Sequence, residues 1–111
     1  MKLDKETQEK ISELQLSEQN LQSFLMQKQN FQTQLVEVES AITEIEKSKE
    51  SFKIIGNIMV KAEKKDLKKE LEEKRDLLGL RIKNIEKQEG KIKEKASKLQ
   101  EEVMKEMKGK K

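Results

Sequence analysis

Cysteine, histidine, proline, tryptophan and tyrosine are all absent from this 111-residue chain, and each absence excludes something. Without cysteine or histidine there is no disulfide, no thiolate nucleophile and none of the commonest zinc ligands. A reducing, intracellular setting fits that composition. Without proline nothing forces a helix to break, and only four glycines are available for turns. Three phenylalanines are the whole aromatic content, and 32% hydrophobic residues against 42% charged cannot build a globular core of ordinary size. No apolar run approaches the length of a membrane span. The start, Met1-Lys2-Leu3-Asp4-Lys5-Glu6, has no signal-type apolar stretch, so a cytoplasmic location is expected.

The missing residue types also bound the chemistry. Catalysis would fall to Asp, Glu, Lys or hydroxyls on solvated helices, with no pocket to shift their pKa values, so neither an enzyme nor a cofactor is expected. The net charge is +3, and Lys105, Lys108, Lys110 and Lys111 against Glu106 supply all of it. The rest of the chain is balanced, without the basic stripe and stacking aromatics of a nucleic-acid binder. The basic end is either a solvated terminus or a docking point for an acidic partner.

What is present is helical periodicity. From about Asp4 to Lys49 the apolar residues fall into heptads, with Leu14, Leu21, Lys28, Leu35 and Ile42 at a, and Ser17, Phe24, Phe31, Val38 and Ile45 at d. Lys28 and Ser17 weaken the seam locally, and a polar a residue often specifies register at some cost in stability. The same segment is rich in Gln and Asn, a bias the seam does not explain. A second helix over 64–107 places Leu71, Leu78, Ile85, Ile92 and Leu99 at d and a mixed set, Lys68, Arg75, Ile82, Glu89, Ala96 and Val103, at a. Its outer face is dense in Lys and Glu, with i,i+4 pairs such as Glu70 with Lys74.

Between the helices, Phe52-Lys53-Ile54-Ile55-Gly56-Asn57-Ile58-Met59-Val60-Lys61-Ala62 reads as a β-hairpin over 52–62. Gly56 at the first central position suits a type II′ turn, which takes positive φ there. Pairing outward matches Ile55 with Ile58, Ile54 with Met59, Lys53 with Val60 and Phe52 with Lys61. One face then carries Phe52, Ile54 and Met59, the other Ile55, Ile58, Val60 and Ala62, so both are apolar. A lone two-stranded hairpin is marginal in water, and this one has two unpaired edges. Either its own flanking helices cover it or strands of other subunits do; the second is favoured, because so thin a chain has little else to offer.

The same turn sets residue i opposite residue 113 − i, so Leu35 meets Leu78, Ile42 meets Leu71, Leu21 meets Ile92 and Leu14 meets Leu99. All four are a against d, the layering of an antiparallel coiled coil. The expected architecture is mostly α: a long antiparallel two-helix coiled coil joined by a single β-hairpin, one unit over 1–111. Its parts are a helix over 4–49, the hairpin, a helix over 64–107 and a basic tail over 108–111. Each helix would be about 65 to 70 Å long at 1.5 Å per residue.

With its aromatic-Lys-apolar-apolar-Gly segment, the apolar-apolar-Val-Lys that follows, and a second helix opening Asp66-Leu67-Lys68-Lys69-Glu70-Leu71, the whole chain resembles the β-class subunits of prefoldin, the archaeal form above all. A single hairpin is similar to the β class; α-class subunits have two. The resemblance implies a hetero-hexamer of two α-type and four β-type subunits, whose hairpins form β-barrels and whose coiled coils capture unfolded polypeptides for a group II chaperonin, without ATP. It makes Phe52, Ile54, Ile55, Ile58, Met59 and Val60 assembly residues. By position, Ile11, Leu14, Leu16, Leu99, Val103, Met104 and Met107 would line a client-binding tip, and Lys105, Lys108, Lys110 and Lys111 would dock the chaperonin. A structural coiled-coil tether without client binding is the alternative.

Overall fold

The computed structural model describes residues 4–109. Two long helices, α1 (Lys5–Lys47) and α2 (Lys64–Gly109), are joined by the strands β1 (Ser51–Ile55) and β2 (Ile58–Ala62). Helix α1 opens on a side-chain cap: the Thr7 backbone N–H donates to Asp4 Oδ1 at 2.8 Å, satisfying one of the donors that a helix start leaves unpaired. It stops at Lys47 rather than Lys49, where Ser48 turns its hydroxyl back to donate to the Glu44 carbonyl at 2.9 Å. The Ser48 N–H is shared between the carbonyls of Glu44 (3.1 Å) and Ile45 (3.2 Å), which ends the ladder. Helix α2 runs to Gly109, so Lys108 lies in its last turn rather than in a separate tail.

β1 and β2 pair antiparallel as Ile55 with Ile58, Ile54 with Met59, Lys53 with Val60 and Phe52 with Lys61, the register read from the turn. One further pair, Ser51 with Ala62, extends the ladder, and Ser51 Oγ donates to the Ala62 carbonyl at 2.7 Å. Ser51 is the buried residue of the strands and closes the base of the hairpin. Gly56 has φ +61° and no other residue described has positive φ, so the turn takes the sign pattern of type II′ and not of type I′, which needs two such residues.

The chain divides into two units, one formed by the chain up to Lys28 and from Asn84 onward, the other by Gln29–Lys83. In the hairpin unit the shielded positions of α1 include Phe31, Leu35, Val38, Ile42 and Ile45, with Gln34 and Ala41 flanking them, and those of α2 include Leu71, Arg75, Leu78 and Ile82. Leu78 is the deepest of them, at 2% exposure. Arg81 lies over the Phe31 ring, 5.7 Å from its centroid, one position from the residue 82 that the expected register places there. In the terminal unit the shielded positions include Lys10, Ile11, Leu14, Ser17, Leu21, Phe24 and Lys28 on α1, and Ile85, Glu89, Ile92, Ala96, Leu99, Val103 and Glu106 on α2. Thr7 is fully buried and its hydroxyl donates to Glu106 Oε2, as the antiparallel register requires. Within each unit, burial therefore centres on the a and d frames, with flanking positions such as Ile11 and Ala41 partly covered.

Candidate functional site

Most of the exposed large apolar side chains of the hairpin unit lie on the hairpin itself. Phe52, Ile54, Ile55, Ile58, Met59 and Val60 are all exposed, from 37% at Val60 to 68% at Ile54. Strand alternation puts Phe52, Ile54 and Met59 on one face, and these three join Ile45, Leu67 and Leu71 around an open cavity of about 530 Å³. The opposite face, with Ile55, Ile58 and Val60, has no covering element among the described residues. The flanking helices of this chain thus shield neither face fully, and both strand edges keep unpaired N–H and C=O groups.

The base of this surface is tied down by charge. Lys53 Nζ bonds both carboxylate oxygens of Glu70 at 3.0 Å, and Lys64 Nζ donates to the Glu46 carbonyl at 2.8 Å. Lys68 pairs with the Glu46 carboxylate at 2.8 Å. Their hydrogen bond lowers the Glu46 pKa below the ordinary value and raises that of Lys68. These contacts fix where the strands leave the helices while leaving the apolar faces free.

The terminal unit holds the other residues read from the sequence. Leu16, Met104 and Met107 point outward at 56%, 52% and 47% exposure, Ile11, Leu14 and Leu99 are half-buried, and Val103 is buried at 7%. Val103 is thus a seam residue, covered because it occupies an a position. Lys105 and Lys108 are exposed; Lys110 and Lys111 lie outside the described residues.

Two polar clusters here join side chains that the hydrophobic seam pattern does not pair. Lys10 Nζ lies 2.6 Å from Glu106 Oε1, 3.4 Å from Glu102 and 3.8 Å from Glu6. The hydrogen bond to Glu106 pushes the Lys10 pKa up to about 12 against a smaller desolvation effect, and the bonds from Lys10 and Thr7 hold Glu106 low. The signal was available: extending the frame one heptad outward from Ser17 and from Leu99 places Lys10 and Glu106 at d. The second cluster is Lys28 with Glu89, 2.8 Å apart, both at a positions. Lys28 reaches along the seam to the buried Glu89, and that bond raises its pKa. Among the described residues no group of three or more Asp and Glu is placed to hold a metal ion. Among the same described residues, no helix is long and apolar enough to cross a membrane.

Two paired helices and a strand hairpin with both faces apolar define a coiled-coil subunit built for assembly. A family model described as "Prefoldin subunit" matches residues 8–110. The chain is 40% identical over 90 residues to the prefoldin subunit beta of Pyrobaculum calidifontis, covering 78% of this chain and 72% of that one. It is 33% identical to that of Archaeoglobus fulgidus over 91% of this chain and 90% of the other. The crystal structure of the prefoldin beta subunit from Thermococcus strain KS-1 superposes with a TM-score of 0.87 at 31% identity, covering 94% of both chains. The chain belongs to the prefoldin subunit family, a family of chaperones rather than enzymes.

Proposed function

We propose that the chain is the β-class subunit of a cytoplasmic hetero-hexamer of two α-type and four β-type subunits. The complex captures unfolded polypeptides without ATP and passes them to a group II chaperonin. The observation that carries the assembly half is the hairpin: six large apolar side chains exposed on two faces of a two-stranded sheet with free edges. Such a sheet is completed by strands of neighbouring subunits, which pair the edges and cover the side chains together.

Client capture is assigned to the terminal unit, with Leu16, Met104 and Met107 as the exposed contacts and Ile11, Leu14, Leu99 and Val103 becoming available where the last turns open. Soft Met side chains suit partners without fixed shape. Several weak sites in one complex hold a chain that no single site could, because the second contact is made at high effective concentration. Lys105, Lys108, Lys110 and Lys111 are the residues proposed to meet the chaperonin. Light scattering of a heat-aggregating client tests the reading. The chain mixed with an α-type subunit keeps the client clear in the absence of ATP; aggregation at the rate of the client alone would refute it.

A further inference from the structure

The Gln- and Asn-rich face of α1 is not accounted for by the seam or by the chain's ends. From Gln19 to Gln27 there is no charged residue, in a chain of which 42% is charged. The next charge, Lys28, is turned inward onto Glu89 with its side chain only 19% exposed. Glu18, one residue before the stretch, lines a groove with Lys93 of α2 and so lies beside the seam. The outward positions are Gln19, Gln22, Ser23 and Met26, with Leu16 one turn earlier and Leu25 at the flank, all exposed. On α2 of the same unit most outward positions are charged, Lys87, Lys91, Glu94, Lys98 and Glu101 among them, with Gly90, Ser97 and Met104 between, and such charge is the usual means of keeping a coiled coil dispersed. One helix of the unit therefore presents a neutral, amide-bearing surface set with Leu and Met, while the other is solvated by charge.

We infer that this outer surface of α1, from Leu16 to Gln27, is a contact surface for unfolded polypeptide. The inference rests on the chaperone reading above and extends it from the chain's ends to the side of the helix. A second copy of the chain is a poor occupant. Three separated apolar side chains fall far short of the roughly 800 Å² per partner that a stable interface buries. An unfolded chain has the complementary chemistry. Its backbone N–H and C=O groups are unpaired, and Gln amides offer donors and an acceptor to both. Its apolar side chains meet Leu16, Leu25 and Met26, and a surface without charge accepts acidic and basic segments alike.

The test uses the chain assembled with an α-type subunit and two permanently unfolded probes, reduced and alkylated lactalbumin (acidic) and reduced and alkylated ribonuclease A (basic). One variant carries Gln22→Glu, Ser23→Glu and Met26→Glu; the other carries Lys at the same three positions. All are outward, so mass and helicity stay those of the parent. The Glu variant binds the acidic probe about tenfold more weakly, the loss being multiplied over several arms, and added salt restores part of it. The Lys variant reverses the preference. Parent-like binding of both probes by both variants would overturn the inference while leaving the chaperone reading intact. Loss of the assembly in both variants would also overturn it, by assigning the face to a subunit contact. Failure of the parent itself to bind either probe would refute the chaperone reading and this inference with it.

Discussion

The two units expose apolar surface in different ways. In the hairpin unit most of it sits on strands, with Val36, Leu77 and Leu80 scattered on the helices, and the strands' free edges carry directional backbone donors and acceptors, so whatever covers Ile54 and Ile58 must also match a ladder in register. In the terminal unit it sits on helices, whose backbone groups are already bonded within the helix, and only side chains such as Leu16, Met26 and Met104 remain to be covered. The first kind of surface selects a fixed partner. The second tolerates many, loosely held. On the proposed function, permanent assembly falls to the first surface and transient capture to the second, so the two do not compete for one partner.

That contrast is most easily broken at Ile54. A carboxylate at this position, Ile54→Asp, has no partner once strands close over it, so no hexamer forms with an α-type subunit. Sizing with native mass reads the outcome, and a normal assembly would remove the hairpin from its assigned role. Next in expected effect is deletion of the first dozen and last dozen residues. It leaves the hexamer intact and abolishes suppression of client aggregation; undiminished suppression would show that capture does not depend on the chain's ends.

A smaller effect probes the seam of the terminal unit. Glu89→Leu leaves the Lys28 ammonium facing an apolar seam and lowers Tm by several degrees, whereas Lys28→Met with Glu89→Leu recovers most of the loss. A double variant no better than the single one would mean that the pair is not coupled. The smallest effect is electrostatic and sits at Lys10 and Glu106. Lys10 is raised from 10.5 to about 12, so its contribution is complete below 10.5 and fades as pH rises through about 12. Glu106 is held below 4.5, so its contribution is complete above 4.5 and fades as pH falls through the lowered value. Lys10→Met flattens both flanks of a Tm against pH curve, slightly and less at high salt. An unchanged curve would show that the cluster does not stabilise the helix ends.

Much of this was legible in the sequence because heptad and strand periodicities are backbone properties. Shielding at Leu35, Val38 and Leu78 follows from a 3.5-residue repeat, and the pairing of Ile54 with Met59 follows from one Gly-Asn turn. What stayed hidden involves side-chain reach. Lys28 bonds Glu89 rather than the residue opposite it, because four methylenes carry an ammonium a full turn along the seam. Ser48 and Ser51 set the end of α1 and the base of the hairpin through hydroxyl bonds to carbonyls, which no hydrophobic pattern records. Val103 reads as a sticky residue near the carboxy terminus until its a position is seen to be covered.

Native mass spectrometry of the chain mixed with an α-type subunit addresses the central claim most directly. The account predicts one dominant species holding two α-type and four β-type subunits, lost on Ile54→Asp. Separate masses for the two components, with this chain alone or as a homodimer, would contradict it and favour a structural coiled coil.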